Sequence, residues 1–172
     1  DDIAYMIRLG NKAGVIEQEE GEMLESVMEF GDTIAREVMI PRTNIHGLPL
    51  ESSFDDVVQV LTEHGHSRLP VYEDNLDNIT GFFHAKDLFA LMPVKPETFN
   101  LNDHLRQALF VPEGMKINEL LKEFQERKTH MAIVVDENGG TAGVISLEDI
   151  LEELVGEIRD EHDEKQARKN DP

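Results

Sequence analysis

The chain has 172 residues, with 36 Asp and Glu against 16 Lys and Arg, for a formal net charge of −20. That balance argues against nucleic acid as the main partner, and against docking on anionic lipid through a polybasic patch, because both need clustered basic surface. No Cys is present, so disulfide scaffolds, thiolate metal sites and Cys nucleophiles are excluded.

Hydrophobic residues make up 40% of the chain and fall in periodic blocks, the pattern of a folded core rather than of disorder. The longest apolar run, Leu88 to Val94, is broken by Pro93. It is far short of the ~18 residues that a membrane span requires. The chain begins at Asp1 rather than Met, as expected of a fragment, and opens on no signal peptide.

In chain order, residues 1–30 read as two helices. Ile3, Met6 and Ile7 mark the first, and Met23, Leu24, Val27 and Met28 the second, which Gly31 closes. Val38 to Arg42 is expected to be extended, since Pro41 disfavours helix before it. Ile45 to Leu48 is expected as a short strand. Ser53 is a helix cap, with Phe54, Val57, Val58 and Leu61 on the apolar face and Gly65 as the stop. Leu69 to Tyr72 and Ile79 to Phe83 read as strands around a polar turn, followed by a helix from Asp87 to Met92. After a Pro-containing connection the grammar returns. Val111-Pro112 is extended, Ile117, Leu120, Leu121 and Phe124 face inward from a helix, and Met131 to Val135 and Thr141 to Ile145 are strands. A helix is expected from Leu147 to about Ile158.

This is an internal repeat. Phe54/Ile117, Val57/Leu120, Leu61/Phe124, Val71/Val134 and Asn75/Asn138 pair at an offset of 63. Gly81/Gly143, Phe83/Ile145, Asp87/Asp149 and Leu88/Ile150 pair at 62, after a one-residue change inside a turn, where an indel is tolerated. The fold class is therefore α/β (α+β), with N-terminal helices before two stacked β-α-β-β-α units related by a pseudo-two-fold axis. The expected division is 1–37 helical linker, 38–92 first unit, 93–104 connection, 105–158 second unit and 159–172 acidic tail. The charge is uneven along it: residues 1–37 carry −7 and residues 148–172 carry −6, leaving −7 for the middle. The acidic ends read as solvated helical faces or as communication elements.

No phosphate-binding loop, dinucleotide fingerprint, HExxH metal motif or nucleophile elbow is present. Glu63-His64-Gly65-His66 offers metal-ligand types without a third ligand nearby in sequence, so no metal site is expected. The repeated words Gly81-Phe82-Phe83-His84-Ala85-Lys86-Asp87 and Gly143-Val144-Ile145-Ser146-Leu147-Glu148-Asp149 are more specific. Each ends a strand and starts a helix. A Ser hydroxyl and an Asp carboxylate beside free helix N–H groups can meet phosphate and ribose hydroxyls. Ser146-x-x-Asp149 is equally an ordinary capping box, and both readings stand at this point.

The Gly-x-x-polar-x-x-Asp repeat resembles a pair of CBS (cystathionine-β-synthase-type) domains. Val38-Met39-Ile40-Pro41-Arg42-Thr43, His66-Ser67-Arg68-Leu69-Pro70-Val71, Lys86-Asp87-Leu88, His130 to Glu137, Gly139-Gly140-Thr141-Ala142-Gly143 and Leu147-Glu148-Asp149-Ile150-Leu151-Glu152 look like the CorC/HlyC group, bacterial relatives of the cyclin M magnesium transporters. The resemblance covers almost the whole chain. It implies a non-enzymatic regulatory module of a magnesium or cobalt transport or efflux protein, binding AMP or Mg-ATP between two halves. It implies a homodimer of CBS pairs on the cytoplasmic face. Further membrane and C-terminal domains would belong to the same polypeptide, and the full-length protein would sit in the bacterial inner membrane.

Carried onto this sequence, the resemblance makes Ser146 and Asp149 the best contacts, to phosphate or ribose. Ile40, Pro41 and Thr43 border ribose and base, and His66 lies beside adenine. Arg68, Leu69, Pro70, Met131, Ala132 and Ile133 line the pocket. His84 replaces the usual Ser or Thr of the first signature, so one site per chain is expected. The acidity of the chain implies that ATP needs Mg²⁺ through its phosphates, while AMP needs it less. The alternative is a purely structural dimerisation module with a vestigial pocket.

Overall fold

The computed structural model describes residues 32–91 and 95–156. The helices expected over residues 1–30 and the acidic tail 159–172 lie outside the described residues. Twelve elements follow in chain order: α1 (Ala35–Val38), β1 (Ile40–Pro41), β2 (Leu48–Pro49), α2 (Phe54–His64), β3 (Arg68–Tyr72), β4 (Ile79–His84), α3 (Lys86–Ala90), β5 (Leu109–Pro112), α4 (Ile117–Arg127), β6 (Met131–Val135), β7 (Thr141–Ser146) and α5, helical over 147–156.

The local sequence explains most of them. Ser53 Oγ accepts from the Asp56 N–H at 3.1 Å, and the Ser53 N–H donates to the Asp56 carboxylate at 3.0 Å. This capping box starts α2, and Gly65, left-handed at φ 64°, ends it. Leu69 and Phe83 face each other across the antiparallel β3–β4 pair, as do Pro70 and Phe82. Parallel strands flank a helix twice: β2-α2-β3 and β5-α4-β6. Mixed α and β structure with two sheets agrees with the fold class read from the repeat.

The repeats and the compact bodies divide the chain differently. Among the described residues, 32–39, 114–130 and 145–156 form one compact unit, and 40–91, 95–113 and 131–144 the other. In the first, the Ala35 N–H donates to the Met115 carbonyl at 2.8 Å, the Ile117 N–H to Thr33 at 2.9 Å and the Leu147 N–H to His130 at 2.9 Å. These bonds tie the chain before α1 to the start of α4, and α5 to the chain after α4. Ala35, Leu120, Phe124 and Ile150 are buried there.

The second unit holds the sheets, of order β2-β3-β4 and β1-β7-β6-β5. Strand alternation serves two cores at once. Phe83 joins Leu48, Val57, Leu69, Val71, Leu91 and Leu101, backed by α2. Its neighbour Phe82 turns the other way, to Ile79, Met131, Ile133 and Val144. Each such side chain contributes about 1.5–3 kcal/mol on full burial.

Three local expectations shift. Val38 ends the short helix α1 instead of opening an extended run, and only from Met39 (ψ 154°) is the backbone extended toward Pro41. The strand expected at Ile45 forms later, at Leu48–Pro49, where it meets Val71 and Tyr72 of β3. Helix α3 stops at Ala90. One shift is larger. Strand β1 pairs not with its own repeat but with β7, Ile40 opposite Val144 and Pro41 opposite Gly143. An edge ladder fills where register and twist permit, and no local pattern encodes a partner about a hundred residues away.

Candidate functional site

In the first unit, β7 delivers Ser146 to the start of α5. The Asp149 N–H donates to Ser146 Oγ at 3.1 Å, and the Ser146 N–H donates to Asp149 Oδ2 at 3.1 Å. The box foreseen as one reading is thus formed, satisfying two helix donors. Both side chains are half-buried. The cap uses Asp149 Oδ2, and among the described residues no hydrogen bond engages Oδ1.

In the second unit, Ile40 and Pro41 stand on the short β1 ladder, and Thr43 is exposed in the 3-10 turn that follows. Thr43 Oγ1 donates to Asn44 Oδ1 at 3.2 Å. Arg68 is opposite His84 at the start of β3. Leu69, Met131 and Ile133 are buried in the two cores, and Pro70 and Ala132 are buried beside them on the same strands. Their side chains are committed to packing, which leaves backbone groups as what these positions offer a ligand.

His66 is exposed and belongs to a group of three imidazoles. His46 stacks on His64 with ring centroids 3.7 Å apart, and on His66 at 5.3 Å. Partial desolvation, then the nearness of His64 and His66, lower the His46 imidazole below its ordinary value. His46 brings a third imidazole to the pair visible in sequence. Among the described residues, however, no group of three side chains converges in metal-holding geometry.

The arginines are not idle. Arg42 donates to the Asp77 carboxylate and, at 3.2 Å, to the Thr141 carbonyl. Asp77 also accepts from the Thr141 N–H at 3.0 Å. The Arg42 bond first, and the Thr141 bond second, hold the Asp77 carboxyl below the usual carboxylate range. Gly140 makes this approach possible, because a Cβ there would lie 2.9 Å from Asp77 Oδ1. Arg106 donates through Nε and Nη2 to the two oxygens of Asp87, at 2.8 and 2.7 Å.

Comparison with known proteins fits this architecture. The CBS domain model matches residues 35–94 and 102–156. The chain belongs to the CBS-domain family. It is a tandem CBS pair, and it is 41% identical over 165 residues to the magnesium and cobalt efflux protein CorC of Escherichia coli K12, covering 96% of this chain and 56% of that protein. The chain thus spans about half the length of that curated relative. The CBS domain of a bacterial CNNM/CorC family Mg²⁺ transporter in complex with ATP is 42% identical, with a TM-score of 0.69 over 80% of this chain and 98% of that one. A CBS-domain pair with bound AMP from Klebsiella pneumoniae is 32% identical, with a TM-score of 0.62 over 72% and 98%. No helix among the described residues of the pair is long and apolar enough to cross a membrane.

Two side chains with defined contacts in this CBS pair, Arg106 and His46, escaped the sequence reading. Arg106 lies 19 residues beyond Asp87, outside any short motif. Only the isolated bridge from Arg106 to Phe82 of the first signature brings it there. His46 sits in a loop whose proximity to His64 comes from the return of α2.

Proposed function

We propose that this CBS pair is a regulatory adenine-nucleotide-binding module, taking AMP or Mg-ATP, of a CorC-type magnesium or cobalt transport or efflux protein. Ser146 and Asp149 contact phosphate and ribose. Ile40, Pro41, Thr43, His66, Arg68, Leu69, Pro70, Met131, Ala132 and Ile133 are the further proposed contacts, the buried ones through their backbone. The observation that carries the reading is the half-buried Asp149 at the head of α5, held by its cap with one oxygen to spare. Nucleotide binding shifts a homodimer between two arrangements and passes the change to adjoining domains on the cytoplasmic side.

The paired state of Arg42 sharpens the ionic requirement. A triphosphate brings close to four negative charges to a protein of net charge −20, and Arg42 is already bonded to Asp77. Mg²⁺ on the phosphates offsets that repulsion. Calorimetric titration of AMP and ATP, each with and without Mg²⁺, tests this. ATP should bind only with the cation and AMP with or without it. Heat from neither nucleotide, or no loss on Asp149→Ala, overturns the reading.

The formed Ser146–Asp149 box favours a second reading, a dimerisation module whose pocket is vestigial and whose Asp149 only caps. The melting temperature separates the two. A ligand of the native state stabilises by about 2.7 kcal/mol at a hundredfold excess over its dissociation constant, whereas a vestigial pocket gives no shift.

A further inference from the structure

The two signature aspartates are equivalent in sequence and differ in partner. Asp149 bonds within its own helix start. Asp87 does not cap α3; its neighbour His84 takes the Lys86 N–H instead, accepting at Nδ1 over 3.0 Å. Both oxygens of Asp87 accept from the Arg106 guanidinium. A bidentate charge-assisted pair is among the stronger hydrogen-bonded contacts a carboxylate makes.

Arg106 is itself held in place. Its N–H donates to the Phe82 carbonyl and its carbonyl accepts from the Phe82 N–H, both at 2.9 Å. The signature Gly81 provides the room, because a Cβ there would sit 2.7 Å from the Arg106 carbonyl oxygen. The same seat exists in the second repeat. Phe82 and Val144 are equivalent at an offset of 62, and the residue opposite Val144 is Ile40. Ile40 is an uncharged side chain packed on the core. The position bridged to each signature strand is therefore a guanidinium in one repeat and an aliphatic chain in the other.

We propose that Arg106 is a built-in plug that closes the first-repeat counterpart of the nucleotide site by occupying the Asp87 carboxylate, and so sets one nucleotide per chain. A ribose bound at Asp87 would exchange two charge-assisted bonds for bonds from neutral hydroxyls and leave the guanidinium without its carboxylate. The direction of the titration shifts agrees: the Arg106 bond holds Asp87 below the usual carboxylate range, and Asp87 raises Arg106.

This inference rests on the nucleotide reading of the second repeat, and its test separates the two. The full chain, its Arg106→Gln and Arg106→Met variants, and Arg106→Gln combined with Asp149→Ala are titrated with AMP and with Mg-ATP, and the stoichiometry is read by calorimetry. The aliphatic Met keeps the packing stem if Gln destabilises the chain. Freeing Asp87 should raise binding from one nucleotide per chain to two, and the gained equivalent should survive Asp149→Ala. Arg106→Lys, which keeps a cation on Asp87, should stay at one. Gain of a site by a variant of a chain that itself binds none supports the plug and overturns the Asp149 reading. Two sites in the unaltered chain, or no gain in either Arg106 variant, overturns the plug.

Discussion

The first and second signatures share a strand, a glycine and an aspartate, yet they meet their surroundings differently. Around Asp149 everything is local: the cap partner is three residues away and the helix supplies the donors. Around Asp87 the decisive partner comes from the connecting chain at Arg106. A duplicated motif keeps its backbone because strand and turn demand it. Its surroundings differ where one neighbouring position differs, and Gly81 leaves room for the Arg106 backbone beside the first signature.

The largest expected effect tests whether the repeats are equally anchored. Phe83→Ala should cost about 3–5 kcal/mol, and the equivalent Ile145→Ala about 2–5 kcal/mol, by cavity formation at two fully buried positions. Chemical denaturation of both variants checks this, and a surface-like cost below about 1 kcal/mol at either site breaks the symmetry of the cores. Next, Asp149→Ala should weaken AMP by roughly 10- to 100-fold, the loss of hydrogen bonds to a charged group, whereas Asp87→Ala should leave the affinity unchanged. Equal losses at both aspartates would erase the contrast between signatures. Third, Ser146→Ala should cost about 1 kcal/mol through the cap alone.

Acid melts give the smaller effects. The Asp87 pKa is depressed in the folded chain, so its contribution is present above the ordinary Asp value of about 4 and is lost as pH falls through the lower folded value. Arg106→Gln should therefore lie below the parent at pH 6 by up to about 1 kcal/mol, typical of a partly exposed pair, and merge with it in strong acid. A constant gap down to low pH would reject the ion pair as its cause. The smallest effect belongs to His46. Its imidazole is also lowered when folded, so the stabilising difference is present above the ordinary value of about 6.5 and is lost as pH falls from there through the lower folded value. His46→Ala should flatten this shallow slope, and an unchanged slope would show that His46 does not carry it.

Local order was legible where local physics decides. Ser53 and Gly65 bracket α2 because capping and left-handed backbone are short-range properties. The alternation of Phe82 and Phe83 follows from strand geometry, and the repeat itself announced two copies of strand-helix-strand-strand. Ser146 and Asp149 were readable as a pair, though the residues alone left cap and ligand contact undecided. Pairings set by the closed fold were not readable. Nothing near Ile40 names Val144 as its partner, and nothing near Asp87 names Arg106.

The β1–β7 ladder also sets a timetable for synthesis. Ile40 leaves the ribosome early, and its partner Val144 follows about a hundred residues later. At elongation rates of about 5–20 residues per second, that gap is roughly 5–20 s. Once His84 has been made, the β2-β3-β4 sheet has every strand it needs, while the Ile40–Pro41 strand still waits for Gly143 and Val144. In a chain that folds as it is made, the β2-β3-β4 sheet can therefore close before the β1–β7 ladder does.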